Sequence, residues 1–129
     1  MLMVKRSLVL AAMAVAVGAS GAAWAQAADP ARGEEVFEAC SSCHSLEAGE
    51  HRYGPSLHGL LGRRSGALPD FDYTDAMRRS RLTWDAETLD RYLTNPRALV
   101  PGTRMDFPGL PSRQDRRDLI AYLAAAGRG

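Results

Sequence analysis

ACSSCHS, residues 39–45, contains both cysteines of the chain, two residues apart, with a histidine directly after the second. Two thiols and an imidazole at this spacing admit four chemistries: a short disulfide, a dithiol redox pair, half of a zinc site, or the attachment point of something larger. The choice decides what the rest of the chain folds around, and the flanking sequence has to make it.

Immediately upstream, Asp29-Pro30 reads as a helix start, with Asp as N-cap and Pro in the first turn. ARGEEVFEAC continues with no breaker stronger than Gly33, which predicts a helix over about residues 30–42. Val36, Phe37 and Cys40 share one face by the three-to-four spacing, so the cysteines arrive on the inner side of the helix end. Gly33 should cost about 1 kcal/mol against alanine in such a helix. Close approach by a second helix would account for it.

Farther upstream the composition changes. Lys5 and Arg6 precede an uncharged run from Leu8 to Ala25 that ends in Ala23-Trp24-Ala25. A basic start, an apolar stretch and a small-residue exit predict a secretory signal peptide over residues 1–25, cleaved between Ala25 and Gln26, with residues 26–129 as one exported domain. The competing reading is an uncleaved membrane anchor, because the run approaches the roughly 18 residues of a spanning helix. Twin arginines are absent, which favours export of an unfolded chain and later insertion of any cofactor. The whole chain has 16 basic and 15 acidic residues, and loss of Lys5 and Arg6 leaves 14 against 15 and no lysine. That balance gives no basis for binding nucleic acid, and contact with a membrane is expected only through partners.

Downstream, Ser112 as N-cap, Asp115 in the first turn and the stripe Leu119, Tyr122, Leu123 before Gly127 predict a C-terminal helix. WDAETLDRYL predicts another, with Thr83 as N-cap, Ala86, Leu89 and Leu93 on one face and Asn95-Pro96 as terminator. TDAMRRS adds a short helical turn, and no alternating strand pattern is present. The domain is therefore expected to be all-α. Residues 46–72 and 94–114 fit no regular element and are rich in Gly and Pro. Loops this long are uncommon in a compact domain unless functional or disordered. Leu57, Leu60, Leu61, Phe71, Leu99, Val100, Met105 and Phe107 make them too apolar for a solvated tail. A large apolar group inside the domain would give them a surface to wrap.

The four chemistries can now be weighed. A Cys40–Cys43 disulfide closes a loop worth only about 2 kcal/mol and leaves the loops without a core. A dithiol centre of the thioredoxin kind wants its helix after the pair, whereas here the helix comes before. Zinc would need two further ligands from His44, His51 and His58. Cys-x-x-Cys-His is also the pattern in which two thiols add to the vinyl groups of haem while the adjacent imidazole ligates the iron. That reading alone accounts for both the export signal and the coreless loops. For a sixth ligand the mature chain offers Met77, Met105, His51 and His58. Met105, in the apolar loop VPGTRMDF, is the favoured one, and Met77 reads first as a gap-filling side chain.

Several separate motifs then fall in a familiar order: GEEVFxxCxxCH at 33–44, YGPSLHGLLGRRSG at 53–66, FDYTDAM at 71–77, LTW at 82–84, YLTNP at 92–96, VPGTRM at 100–105 and DLIAYL at 118–123. Together they closely resemble the class I cytochromes c, in the branch of mitochondrial cytochrome c and bacterial cytochrome c2, over nearly all of the mature domain. The resemblance implies a cytochrome c fold with three main helices, short helical turns and long loops around one covalent, low-spin haem c. Cys40 and Cys43 would form its thioethers, with His44 and Met105 as iron ligands and the Pro55 carbonyl accepting the other ring proton of His44. Arg63, Tyr73, Thr74 and Trp84 match residues that hold the haem propionates. Tyr92 and Thr103 match residues near the methionine, and Gly33, Phe37, Leu119 and Tyr122 match a crossing of the terminal helices.

The implied function is one-electron transfer, not enzymatic catalysis, by a soluble, monomeric periplasmic protein. Its redox partners would be a quinol-oxidising bc1-type complex and a terminal oxidase, photosynthetic reaction centre or peroxidase. The alternatives are a haem peroxidase or gas-sensing domain with a labile methionine, and a membrane-anchored carrier that keeps residues 1–25. Two departures stand out. Met77 replaces an asparagine common in the family, and the lysine ring around the haem edge has no lysine counterpart. Arg52, Arg97, Arg104 and Arg113 could form a smaller patch with weaker electrostatic steering.

Overall fold

The computed structural model describes residues 27–128; the leader reading for residues 1–25 lies outside them. Five helices follow in chain order: α1 Pro30–Phe37, α2 Asp75–Arg79, α3 Ala86–Thr94, α4 Pro96–Leu99 and α5 Arg113–Ala126. Three are longer and two are single turns. The rest of the chain is loop, and the only β pairing among the described residues is the single bridge between Arg64 and Thr83. No helix among them is long and apolar enough to cross a membrane.

α1 starts where the sequence indicates, with the Asp29 carboxylate accepting from the Ala31 and Arg32 amides. It ends earlier than expected, at Phe37 instead of near 42. From Glu38 onward the amides turn to acceptors three residues back, as in Ala39 N to Val36 O at 3.2 Å and Cys40 N to Phe37 O at 2.7 Å. The tighter turns carry the chain round, and His44 N closes back on Cys40 O at 2.9 Å. Periodicity alone cannot separate such turns from a continuing helix, because both keep apolar residues three to four apart.

α1 crosses α5, the main helix–helix contact. A Cβ on Gly33 would collide with the Asp118 carbonyl and lie 2.7 Å from Tyr122 Cβ, so the crossing requires glycine. Phe37 and Tyr122 pack with ring centroids 5.6 Å apart, and Leu119 and Leu123 are buried beneath them. Phe37, Leu119 and Leu123 each contribute about 1.5–3 kcal/mol by burial. The buried Asp118 carboxylate accepts from Asp29 N and Gln114 Nε2, both at 2.8 Å, tying the start of α1 to α5. The buried Arg116 guanidinium reaches Asp90 at 2.8 Å and the Leu110 carbonyl at 2.7 Å, fixing α5 to α3.

α3 corrects two readings. Its N-cap is Asp85, whose carboxylate accepts from Thr88 N at 2.8 Å, while Thr83 is engaged in the bridge to Arg64. Its buried face consists of Leu89, Tyr92 and Leu93, and Ala86 is exposed. Asn95 ends α3 and also caps α4, donating to Arg91 O and accepting from Ala98 N through its side chain. Residues 62–66 and 82–84 zip together through Gly62 N to Trp84 O at 2.9 Å, Ser65 N to Leu82 O at 2.9 Å and Trp84 N to Arg63 O at 2.8 Å. The zip sets Arg63 and Trp84 side by side facing the interior.

Candidate functional site

The two long loops, the turns after α1 and the inner faces of α3 and α5 enclose a cleft of about 500 Å³. That is a volume suited to a sizeable, mostly apolar ligand. Cys40, Cys43 and His44 line it from the turns after α1, and Met105 lines it from the loop before α5. Pro55, Arg63, Tyr73, Thr74, Trp84, Tyr92 and Thr103 line it as well, so every site residue singled out in the sequence is gathered at one place. Leu57, Leu60, Leu89 and Leu93 supply much of the apolar wall. His51 and His58 do not line it. His51 accepts from Ser56 N at 3.0 Å and has Nε2 3.0 Å from Asp70.

His44 is oriented by its neighbours. Nδ1 lies 2.7 Å from the Pro55 carbonyl and must donate to it, which leaves Nε2 unprotonated and free to act as a ligand. Burial holds the imidazole pKa below its usual value; the Pro55 bond opposes this and the Arg63 charge adds to it. The ring is thus kept neutral. Gly54 packs against it so closely that a Cβ would strike the ring. Cys40 is half-buried, and burial, with some help from Cys43, pushes its thiol up to about 11.

A neutral imidazole, a thioether and two thiols on one apolar cleft fit a covalently attached haem. The comparisons agree. The cytochrome c family model matches residues 30–126.

The chain belongs to the cytochrome c family.

It is 45% identical over 120 residues to cytochrome c2 of Rhodomicrobium vannielii, covering 92% of this chain and 95% of that one. It is 43% identical over 100 residues to cytochrome c of Ginkgo biloba, covering 76% and 88%. Among solved structures, cytochrome cH from Methylobacterium extorquens superposes with a TM-score of 0.72 at 39% identity, over 75% of this chain and 98% of that one. Cytochromes c of this family bind one covalent haem c and transfer electrons; they are not enzymes. The peroxidase alternative is thereby set aside.

The remaining polar groups of this cytochrome c cleft are placed by hydrogen bonds. Arg63 donates to the Ser56 carbonyl at 2.8 Å and to the His58 carbonyl, which uses only part of its five-donor fork. Burial draws its pKa down, with Tyr73 beside it acting in the other direction. Thr74 caps α2 by accepting from Met77 N at 3.1 Å, so its hydroxyl hydrogen is left to donate elsewhere. Trp84 is buried against Tyr92, ring centroids 5.0 Å apart. The hydroxyls of Tyr92 and Thr103 are 2.7 Å apart, and Met105 N donates to Thr103 Oγ1 at 3.3 Å. This short chain of bonds runs from α3 to the backbone of Met105. Met77, a half-buried neighbour of the core, also lines the cleft.

The expected arginine patch is not a unit. Arg52 pairs with Glu50 at 3.0 Å and Arg97 with Asp106 at 2.6 Å, while Arg113 lines a separate groove between α3 and α5. Two residues that sequence reasoning passed over matter here. Gly54 enters the sequence reading only within the motif at 53–66, because a demand for space beside a ring ten residues away leaves no local signal. Tyr53, 58% exposed, likewise enters only within that motif, yet it stands at the edge of the cleft.

Proposed function

We propose that the protein is a soluble, exported one-electron carrier whose haem is attached through Cys40 and Cys43 and ligated by His44 and Met105. One observation carries the reading: His44 Nε2 is freed toward the cleft by the 2.7 Å bond from Nδ1 to Pro55, and a thioether lines the same cleft. A bound haem would supply an iron that alternates between ferric and ferrous states. The chain's residues do the rest. Leu57, Leu60, Leu89 and Leu93 exclude water and, with a thioether ligand, favour a raised reduction potential. Arg63, Tyr73, Thr74 and Trp84 offer donors to the propionates, whose burial needs partners. If His44 and Met105 both ligate the iron, no open site would be left for a substrate.

Residues 1–25 act as a cleaved signal peptide that delivers the chain to the periplasm, leaving residues 26–129 as a monomeric domain. The match to the Rhodomicrobium cytochrome c2, over 120 residues and 92% of this chain, reaches into that leader and supports the reading. The carrier runs between a bc1-type quinol-oxidising complex and a terminal oxidase, reaction centre or peroxidase. Absorption spectroscopy tests the site. The ferric protein is expected to show the weak long-wavelength charge-transfer band of methionine-ligated haem, Met105→Ala to abolish it and lower the potential, and acidified acetone to leave the colour on the protein. Retention of the band in Met105→Ala would overturn the ligand, and extraction of the colour would overturn the covalent attachment.

A further inference from the structure

Three segments of the two cleft loops meet at one guanidinium. Arg104 Cζ lies 5.8 Å from the Tyr53 ring centroid and 5.7 Å from the Phe71 centroid. Its Nη2 donates to the Asp72 carbonyl at 2.8 Å, and the Tyr53 hydroxyl donates back to the Arg104 carbonyl at 3.5 Å. Tyr53 adjoins Gly54 and Pro55, which hold His44. Phe71 and Asp72 open the segment that carries Tyr73 and Thr74, and Arg104 directly precedes Met105. One side chain therefore ties the Met105 loop to two other walls of the cleft.

These contacts are at the rim. Tyr53, Phe71 and Arg104 all line the cleft, while Arg104 and Tyr53 are exposed. Arg52 and Arg97 are neutralised by carboxylates, whereas Arg104 takes two aromatic faces and a carbonyl. An exposed stack buries little area and adds little to the helix core. Its leverage falls on the loop it holds.

We propose that Arg104 is a positioning residue, a clasp that keeps the Met105 loop shut over the cleft and denies the sixth iron position to external ligands; this rests on Met105 being that ligand. Two exposed cation–π contacts and one charge-assisted hydrogen bond bias the closed loop by about ten- to a hundredfold. An external ligand that needs the open loop binds in proportion to the open fraction, so loss of the clasp tightens its apparent affinity by the same factor.

The test is an imidazole titration of the ferric, haem-loaded protein, followed by absorbance. Arg104→Ala is expected to bind imidazole at least about tenfold more tightly than the parent. Arg104→Lys, which keeps a donor for Asp72 but stacks less well, should fall between, and the exposed Arg91→Ala on α3 should match the parent. Amide exchange should quicken at residues 103–107 and stay unchanged in α1 and α5. An affinity for Arg104→Ala within about twofold of the parent, or exchange quickened equally in α1 and α5, overturns the clasp. If Arg104→Ala yields no loaded protein, Tyr53→Ala decides: tighter imidazole binding supports the clasp and parental affinity overturns it. Absence of the methionine band in the parent overturns the ligation and the clasp with it; presence of the band with unchanged affinity overturns the clasp alone.

Discussion

Tyr92 is the residue at which packing and polarity of the cleft meet. Its ring is buried against Trp84 and its hydroxyl is spent on Thr103, which in turn accepts from Met105 N. Burial raises the phenol pKa above its usual value, and the Thr103 bond only partly opposes this. Because the folded value is raised, the neutral phenol stabilises the fold fully below the unfolded value of about 10, and that stability is lost as pH rises through the folded value. Tyr92→Phe is expected to cost about 1 kcal/mol at neutral pH, for the lost hydrogen bond. It should also flatten the alkaline fall in stability. Urea unfolding at intervals from neutral pH to beyond the phenol titration would show this, and parallel pH profiles for parent and variant would count against it. Tyr92 was legible only through the family resemblance. The stripe of α3, when phased from Ala86, passes it by, whereas the buried face runs through Leu89, Tyr92 and Leu93. Met77 was legible as a departure, and the structure places it on the cleft wall as an added thioether.

At the scale of elements, legibility followed the number of signals that agree. α5 carries an N-cap, an acid in its first turn, an apolar stripe and a terminal glycine, and its bounds came out as expected. For α3 the sequence reading placed the N-cap at Thr83, two residues before the observed Asp85. Thr83 lost to Asp85 because a tertiary contact, the bridge to Arg64, takes the Thr83 backbone out of the helix. The Asp85 carboxyl sits below the usual carboxylate range, chiefly through its bond from Thr88 N, as expected for a cap that works while ionised. Asp85→Ala should therefore lower the melting temperature by about 4–8 °C, and Thr83→Ala by less than half as much. Equal shifts in a thermal melt of the two variants would contradict the assignment. The early end of α1 had no comparable signal. Its cause is the need to bring His44 round beneath the cleft, and that need belongs to the ligand and not to the helix.

For the whole molecule, the loops were the least legible part by periodicity and the most informative by composition. Leu57, Leu60 and Met105 face a cleft and not a helix or sheet, so no period of 2 or 3.6 orders them. What the sequence does foretell at this scale is charge. Without Lys5 and Arg6 the chain holds 14 basic and 15 acidic residues and no lysine, and several of its exposed arginines are held locally. Arg52 lies 3.0 Å from Glu50, Arg78 lies 3.1 Å from Asp72, Arg97 lies 2.6 Å from Asp106, and Arg104 is stacked on aromatic rings. Exposed pairs like these add little stability, yet each cancels a monopole that would otherwise steer an acidic partner. Association should consequently lie nearer the unsteered range of about 10⁵–10⁶ M⁻¹s⁻¹ than the steered one. Reduction of the loaded protein by an anionic and by a cationic inorganic reagent reads the local field directly. Both rates are expected to change by less than about threefold as the Debye length is shortened from about 30 to 8 Å by added salt. A steep fall with the anionic reagent alone would reveal a cationic face at the cleft, and Arg104, an exposed guanidinium of the cleft lining bound to a carbonyl and not to a carboxylate, would be its first suspect.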